Sequence, residues 1–166
     1  MFSQHLTDIA RELLKELRNR AQTLATAESC TGGLVAGLLT EIPGSSDVLD
    51  RGFITYSNAA KTEMLGVSAA LIAKHGAVSE PVARAMAEGA IRGSRADLAV
   101  SITGVAGPGG GTPDKPVGLV HFAATRRGGP TIATHHRFGD VGRSRVRLLS
   151  VEAALRLLEQ MIAARS

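Results

Sequence analysis

Residues 23–39 read TLATAESCTGGLVAGLL and join a strand pattern to a helix pattern through a short polar turn. The run 23–27 is uncharged and rich in small and β-branched residues, which is typical of a central strand. After the turn, apolar residues recur with helical spacing at Leu34, Val35, Leu38 and Leu39. A strand that ends where a helix begins exposes unpaired backbone N–H groups, which stabilise an anion such as a phosphate or an oxyanion. We therefore expect the chemistry of the chain to lie in this turn.

Helices and strands alternate along the rest of the chain. The patterns predict a first helix over Thr7–Arg20, capped by Thr7 or Asp8, strands at 52–56 and 98–103, and a helix from Ser79 to Arg92 between them. Beyond a glycine-rich loop at 104–115, the runs 117–125 and 131–138 predict an antiparallel hairpin, and a last helix spans 142–164. This order predicts an α/β fold: a three-layer α/β/α sandwich with a mixed sheet of parallel strands plus a carboxyl-terminal antiparallel hairpin. We expect a single domain over residues 1–166.

Composition narrows the class of protein. With 166 residues, 44% of them apolar, the chain can bury one globular core. It has no apolar run of the roughly 18 residues that a membrane span needs and no signal-peptide core, so we expect a cytoplasmic protein without a membrane partner. Its single cysteine excludes an internal disulfide and a multi-cysteine zinc site. His135 and His136 are adjacent on a predicted strand and point to opposite faces, so we expect no metal site.

The net charge of +4 is concentrated at the carboxyl-terminal end. Residues 126–166 hold eight arginines and three acidic residues, whereas the rest of the chain is close to neutral. Proteins that bind single-stranded nucleic acid add aromatic stacking platforms to such a patch, but this chain has one tyrosine, four phenylalanines and no tryptophan. We therefore interpret the arginines as the solvated face of a helix and do not expect a nucleic-acid partner.

Polar residues and glycines follow three of the predicted strands. Ligands of open α/β sheets bind beyond the carboxyl ends of the strands, so we expect the turns 28–33, 56–61 and 103–111 to converge. Ser29 is a candidate nucleophile, provided that a base removes its proton. Lys61 is a candidate base, because Asn58 as N-cap places it in the first turn of a helix, where the dipole lowers the pKa of an ammonium group. Tyr56 is a candidate to relay a proton or to orient the amine.

Each of these assignments has a structural alternative. Ser29 could only cap the second helix, Tyr56 could be a strand aromatic and Lys61 a surface residue. Cys30 is the rival nucleophile, but no histidine lies near a strand end, which favours a small buried cysteine. The loop at 104–115 is neither a Walker A sequence nor a dinucleotide fingerprint. The six glycines between 104 and 118 suit either a backbone that approaches a phosphate or a flexible connection.

Five segments together carry a family resemblance. They are TAESCTGG (26–33), GSS (44–46), RGFITYSN (51–58) with Lys61, GAVS (76–79) and TGVAGP (103–108), and they occur in order between the first helix and the last. In these segments the chain closely resembles the CinA carboxyl-terminal domain family. The resemblance implies a nicotinamide mononucleotide amidohydrolase, which forms nicotinic acid mononucleotide and ammonia in pyridine-nucleotide salvage for NAD biosynthesis. It also implies a historical link to competence and DNA damage. Many members carry a larger amino-terminal domain that is not expected here, so the chain looks like a stand-alone deamidase.

The resemblance and the residue types together imply roles at the matched positions. Ser29 would attack the carboxamide carbon, and Lys61 with Tyr56 would move the proton to the leaving ammonia, without a cofactor. Glu28 would either face the cationic pyridinium or support the turn. The oxyanion would be held by backbone N–H groups of Thr31, Gly32 and Gly33. The remaining candidate binding residues, most of them for the phosphate, are Asn58, Thr103, Gly104, Gly107 and Gly109, with Ser45 or Ser46.

A non-catalytic protein stays open as the alternative. The same pocket would serve a nucleotide sensor, or a partner of DNA-repair or competence proteins, without turnover. In the catalytic interpretation the expected partner is a small-molecule nucleotide substrate. The apolar stripes of the terminal helices are compatible with a homodimer or a higher homo-oligomer.

Overall fold

Residues 2–164 are described by the computed structural model, and they form a five-stranded sheet with helices on both of its faces. The strands are β1 (Leu24–Glu28), β2 (Leu49–Ile54), β3 (Leu98–Gly104), β4 (Leu119–Arg126) and β5 (Thr131–Arg137). The helices are α1 (Gln4–Asn19), α2 (Leu34–Thr40), α3 (Asn58–Leu65), α4 (Ala69–His75), α5 (Glu80–Arg92) and α6 (Arg143–Ala163). A short 3-10 turn at Ser45–Asp47 precedes β2.

The sheet is mixed and has the strand order β2-β1-β3-β4-β5. β1 pairs in parallel with β2 on one side and β3 on the other, whereas β4 and β5 continue the sheet as antiparallel strands. The predicted hairpin and the predicted mixed sheet are thus confirmed. At the carboxyl end of β1, Glu28 lies beside Ile54 of β2 and Ile102 of β3. The three strand ends therefore converge at one edge of the sheet, as the sequence predicts.

Alternation along the strands divides the core between two layers of helices. Leu24 and Leu98 belong to the larger core, which α1, α2 and α6 complete on one face of the sheet. The next residues along each strand, Ala25 and Ala99, belong to a second core with apolar side chains of α3, α4 and α5. Successive strand residues point to opposite faces, so each face carries its own helices. The three-layer α/β/α arrangement is confirmed.

The bounds of two early elements differ from the predictions. α1 begins at Gln4, because Ser3 is its N-cap and accepts a backbone N–H of the first turn at 3.3 Å. Thr7 and Asp8 lie inside the helix, so their assignment as caps was wrong. β2 begins at Leu49, three residues before the predicted start. It is an edge strand with mostly exposed residues, and such strands carry little of the apolar pattern that predicts them.

Two predicted helix starts are correct in place but differ in their caps. Ser57 caps α3, where its hydroxyl accepts the Ala60 N–H at 3.0 Å, and Asn58 is the first helical residue rather than the cap. The Ser79 hydroxyl donates to the Gly76 carbonyl at 2.8 Å instead of capping α5. α4 was not predicted as a helix, since only Ile72 of it is buried and it lacks the apolar spacing that α2 has at the same length. Within residues 2–164, none of the helices has both the length and the hydropathy required to cross a membrane.

Candidate active site

The ends of β1, β2 and β3 are bonded to one another beyond the regular strands. The Ser29 N–H, directly after β1, donates to the Ile102 carbonyl of β3 at 3.0 Å. The Thr55 N–H, directly after β2, donates to the Glu28 carbonyl at 2.8 Å. These bonds extend the parallel pairing by one residue on each side of β1. They fix the backbone of Ser29 between the two neighbouring strand ends.

Ser29 and Lys61 form a close pair at this edge. The Nζ of Lys61 lies 3.0 Å from the Oγ of Ser29 and 2.9 Å from the Thr55 carbonyl oxygen. Because α3 begins at Asn58, Lys61 lies in the first turn of that helix, directly above the end of β2. Only 1% of Lys61 is exposed, compared with 9% of Ser29. The surface-lysine alternative is therefore incompatible with the structure.

The surroundings of Lys61 favour its neutral form. Burial lowers the pKa of the Lys61 amine below its ordinary value of 10.5, and the nearby Cys30 opposes this effect more weakly. Its two polar neighbours, a hydroxyl and a carbonyl, are uncharged. Within residues 2–164, no carboxylate forms an ion pair with it. A neutral amine beside a serine hydroxyl has the geometry of a general base and its nucleophile.

Cys30, the rival nucleophile, is a poor one in this setting. Its side chain is buried, with 6% of the residue exposed. Burial raises the pKa of the thiol to about 11, so the thiol is neutral near pH 7. Since the thiolate is the reactive form of cysteine, the structure favours Ser29 as the nucleophile.

Glu28 supports the turn between β1 and α2. Its Oε2 accepts the N–H groups of Gly33 at 3.0 Å and Val35 at 3.1 Å, and its Oε1 accepts the Ala36 N–H at 2.9 Å. The residue is fully buried, so its carboxylate is not available to a ligand. Of the two roles that the sequence left open, the structure places Glu28 in the one that supports the turn. The carboxylate takes the place of a helix cap, since Gly33 has φ +98 and no side chain to offer.

Two of the three backbone N–H groups expected to hold the oxyanion, those of Gly32 and Gly33, already have partners within the turn. The Gly32 N–H donates to the Ser29 carbonyl at 3.0 Å, and the Gly33 N–H donates to Glu28. The N–H groups of Cys30 and Thr31, both buried residues, have no hydrogen-bond partner among residues 2–164. Cys30 and Thr31 are therefore the candidate oxyanion donors, and the expectation needs correction for Gly32 and Gly33 alone.

Tyr56 lies at the rim of the site rather than beside the amine. Its side chain is prominent at the surface, with 60% of the residue exposed. Its hydroxyl accepts a hydrogen bond from Nη2 of Arg143 at 2.8 Å, and Nη1 of the same guanidinium donates to the Gly107 carbonyl at 2.9 Å. The phenol oxygen is thus engaged with Arg143 and has no hydrogen bond to Lys61 among residues 2–164. The contacts do not support a proton relay through Tyr56.

A second arginine of α6 reaches the turn that carries Ser29. Arg147 donates from Nε to the Cys30 carbonyl and from Nη2 to the Thr31 carbonyl, each at 3.1 Å. Arg143 and Arg147 are four residues apart and so lie on one face of the helix. Between them they connect the start of α6 to the loops that follow all three parallel strands.

Comparison with known proteins gives the family to which this geometry belongs. The profile of the CinA C-terminal domain matches residues 6–162. The chain belongs to this family. A CinA-like protein of Anaeromyxobacter dehalogenans is 52% identical over 159 residues, covering 95% of this chain and 38% of that protein. A CinA-like protein of Syntrophus aciditrophicus is 51% identical over 150 residues, covering 90% and 36% respectively. The chain therefore spans less than two fifths of the length of these curated relatives.

Solved structures of similar length share the fold. The competence/damage inducible protein CihA from Agrobacterium tumefaciens superposes with a TM-score of 0.95 at 48% identity, covering 97% of this chain and 98% of that one. A competence-damaged protein (CinA) superfamily protein from Escherichia coli gives a TM-score of 0.90 at 34% identity, covering 97% and 94%. The CinA C-terminal fold of this chain is therefore established on both sequence and structure.

The glycine-rich loop after β3 is only partly explained by ligand binding. The Thr103 hydroxyl donates to the Ala77 carbonyl at 2.8 Å and is buried. A β-carbon at Gly104 would lie 2.6 Å from a methyl group of Val120, and one at Gly107, where φ is +83, would lie 2.6 Å from Val117. Packing of the loop against the start of β4 therefore requires these two glycines. Gly109 is exposed with open space around it, and Asn58 is exposed at the start of α3, so both stay accessible candidates for binding.

Ser45 and Ser46 do not lie at the site. The 3-10 turn that contains them precedes β2, and the Val48 carbonyl after it accepts the Leu24 N–H at the start of β1. They are therefore at the amino ends of the parallel strands, on the opposite edge of the sheet from Ser29. The prediction that they help to hold the phosphate needs correction for a single copy of the chain. The sequence match at 44–46 did not reveal on which edge the turn would lie.

The two arginines of α6 are the site residues that the sequence analysis missed. It assigned the basic carboxyl-terminal region to a solvated face, because charge and amphipathic spacing do not show what a guanidinium contacts. Their spacing of four residues at the start of a helix was the available signal.

A cleft of about 340 Å³ lies between β5 and α6 and is lined by His136, Phe138 and Leu149 among others. None of the strand-end residues lines this cleft. Among residues 2–164, no group of three or more His, Cys, Asp or Glu side chains is arranged to hold a metal ion.

Proposed function

We propose that the chain is a nicotinamide mononucleotide amidohydrolase, which converts the carboxamide to nicotinic acid mononucleotide and ammonia. The observation that carries the proposal is the Ser29 hydroxyl 3.0 Å from the buried amine of Lys61. A hydroxyl activated by an adjacent base is the usual nucleophile of acyl transfer. The substrate is inferred from the family resemblance of the strand-end segments, so the chemistry and the substrate rest on different observations.

The acylation step uses the two partners in sequence. The neutral Lys61 amine takes the proton of Ser29 as Oγ attacks the carboxamide carbon. The oxygen of the carboxamide then carries the developing negative charge, which the Cys30 N–H would stabilise. Collapse of the tetrahedral intermediate breaks the C–N bond, and the Lys61 ammonium returns the proton to the departing ammonia. Ser29 is left as the ester of nicotinic acid mononucleotide.

Deacylation repeats the step with water in place of serine. Once ammonia has left, Lys61 is neutral again and accepts a proton from a water molecule that attacks the ester carbon. The second tetrahedral intermediate releases nicotinic acid mononucleotide, and Lys61 restores the proton to Ser29 Oγ. The Thr55 carbonyl, 2.9 Å from Nζ, holds the amine in the same place through both halves of the reaction.

The rim of the site has groups that suit the rest of the mononucleotide. The guanidinium of Arg143 is held between two neutral oxygens, those of Tyr56 and Gly107, so its charge is left for an anion such as the phosphate. Tyr56 has 60% of the residue exposed and its ring is fixed at the hydroxyl end, which suits stacking against a cationic pyridinium. Gly109, in the loop after β3, and Asn58, at the start of α3, are exposed and are the other candidates for contact with the mononucleotide.

The proposal is tested by release of ammonia and nicotinic acid mononucleotide from nicotinamide mononucleotide, using protein treated with a chelator. Ser29→Ala is expected to lower kcat by about 10⁴-fold or more. Lys61→Met is expected to lower it by about 10²- to 10⁴-fold, which is the usual contribution of a general base. Cys30→Ala and Lys74→Met, at a buried neighbour and at an exposed lysine of α4, are the matched controls and should keep the parental kcat.

The outcomes separate the proposal from its alternatives. Loss of turnover in Cys30→Ala but not in Ser29→Ala would show that the thiol is the nucleophile. Tight binding of the mononucleotide by the parent without ammonia release would favour a non-catalytic nucleotide sensor or a partner-binding protein. Turnover that disappears on chelation and returns with added metal would show that Ser29 and Lys61 are insufficient for the reaction.

A further inference from the structure

The nucleophile belongs to a tight turn that one arginine holds from outside. The Ser29 carbonyl accepts the Gly32 N–H at 3.0 Å, so residues 29–32 form a β-turn with Cys30 and Thr31 at its centre. The fork of Arg147 donates to the carbonyls of both central residues, each at 3.1 Å. The two successive peptide groups that join Cys30 to Thr31 and Thr31 to Gly32 are therefore fixed by a single side chain of α6.

Rotation of these peptide groups would move the groups that the reaction needs. The Cys30 carbonyl lies in the planar peptide unit that joins Cys30 to Thr31. Turning this unit changes the backbone angles of Cys30 and, through the Gly32–Ser29 hydrogen bond that closes the turn, displaces the adjoining unit that joins Ser29 to Cys30. Ser29 would shift away from Lys61, which cannot follow because it is buried and bonded to the Thr55 carbonyl at 2.9 Å. A misplacement of about 1 Å in a reacting group is enough to cost on the order of 100-fold in rate.

We propose that Arg147 is a positioning residue of the reaction. Its fork holds the 29–32 turn so that Ser29 Oγ stays within reach of the amine and the Cys30 N–H keeps its direction. The inference rests on the proposed function for its substrate, but not for its geometry. Arg147 acts through the carbonyls of the turn and supplies no proton to the reaction.

The planar fork is the property that matters in this role. Nε and Nη2 are rigidly spaced donors that reach two carbonyl oxygens at once, whereas a lysine ammonium is a point charge on a flexible chain. A β-carbon at Gly32, where φ is +57, would lie 3.4 Å from Nη2, so the guanidinium packs directly against the turn. Arg147→Lys keeps the charge near the turn and removes the fork, which separates an effect of charge from one of geometry.

The experiment compares the parent with Arg147→Met, Arg147→Lys and the matched control Arg145→Met, which alters an exposed arginine one half-turn away on the same helix. The first readout is kcat and KM for nicotinamide mononucleotide. The second is the rate of labelling by a fluorophosphonate, in which a bond forms between Ser29 Oγ and phosphorus, the P–F bond breaks, fluoride leaves and Lys61 takes the serine proton. Labelling is assigned to Ser29 by its loss in Ser29→Ala. The second readout does not depend on the identity of the substrate.

Arg147→Met is expected to lower both kcat and the labelling rate by about 10- to 100-fold, with KM changed less than about threefold. Arg147→Lys should stay at least about fivefold below the parent in both, and Arg145→Met should match the parent. The pH dependence of the labelling rate should be unchanged in all variants, because the surroundings of Lys61 are intact.

Equal labelling rates in the folded parent and Arg147→Met would overturn the proposal. Parental kcat and labelling rate in Arg147→Lys would overturn the role assigned to the fork. A lower melting temperature with parental rates would show a purely structural role. Absence of mononucleotide turnover in a parent that is labelled at Ser29 refutes the proposed substrate alone, and the labelling rates then still test Arg147. A parent that is not labelled at Ser29 contradicts the activated serine on which the proposal depends.

Discussion

Replacing Lys61 by methionine shows how the buried amine changes the free energy of unfolding with pH. Burial lowers the pKa of Lys61 below 10.5 in the folded protein. Between that lowered pKa and 10.5, the unfolded chain holds a proton that the folded chain has released, so the free energy of unfolding of the parent rises with pH. One such proton contributes at most about 1.4 kcal/mol per pH unit in this window. Lys61→Met lacks the group and therefore lacks this slope.

The contacts that the replacement removes change the level of stability but not its slope. Methionine cannot donate to the Thr55 carbonyl, which accepts from Nζ at 2.9 Å, nor contact the Ser29 hydroxyl at 3.0 Å. A buried carbonyl left without a donor costs about 1–3 kcal/mol. That loss does not depend on pH, because neither the Thr55 carbonyl nor the Ser29 hydroxyl titrates in this range. The dependence on pH therefore reports the buried amine, whichever variant is the more stable at pH 7.

The assay is urea unfolding of the parent, Lys61→Met and Lys74→Met at several values between about pH 7 and pH 10. The parent should gain stability relative to Lys61→Met as the pH rises, by up to about 1.4 kcal/mol per unit. Lys74 is exposed near the end of α4, so Lys74→Met should run parallel to the parent. Parallel curves for the parent and Lys61→Met over the whole range would refute the inference that burial shifts this amine.

Two further predictions concern Cys30 and Glu28, the sequence neighbours of Ser29. Burial raises the pKa of Cys30 to about 11, so a thiol reagent near pH 8 should leave the native protein unreacted. After unfolding in urea, the reagent should modify one thiol per chain. Rapid reaction of the native protein would contradict a buried, neutral thiol. Glu28→Gln replaces one of the two oxygens that accept three backbone N–H groups, and it should lower the free energy of unfolding by about 2–4 kcal/mol without raising KM for the mononucleotide. A large rise in KM with unchanged stability would instead place Glu28 at the pyridinium.

The parts of the fold that the sequence predicted are those with local signals. β1 is buried along its whole length and the hairpin β4–β5 joins neighbouring strands, so composition and turn residues are sufficient to indicate both. The start of β2 was predicted wrongly and α4 was missed, because both lack such local signals. β2 is an edge strand of the sheet and α4 buries only Ile72, so neither carries a regular apolar pattern.

Sequence predicts which residues meet at the site, because strand topology decides this, but it does not predict where their polar groups point. The carboxyl ends of parallel strands lie at the same edge of the sheet, which predicts that Ser29 and Lys61 lie close together. Sequence does not tell whether a hydroxyl or an N–H points inward. The Tyr56 phenol therefore proved to contact Arg143, and the Gly32 N–H proved to be used within the turn.

The basic carboxyl-terminal region shows the same limit for charge. A count of arginines suggests either a solvated face or an anionic partner, but several of these side chains bind carbonyl oxygens of the chain itself. Arg127 donates to the carbonyls of Ile91 and Ser94 at the end of α5, and Arg143 and Arg147 donate to the loops around Ser29. Backbone carbonyls at helix ends and tight turns lack internal partners, and a guanidinium can satisfy two of them at once. No local pattern encodes the position of α6 against the parallel strand ends, and this position makes a basic helix the support of the turn that carries Ser29.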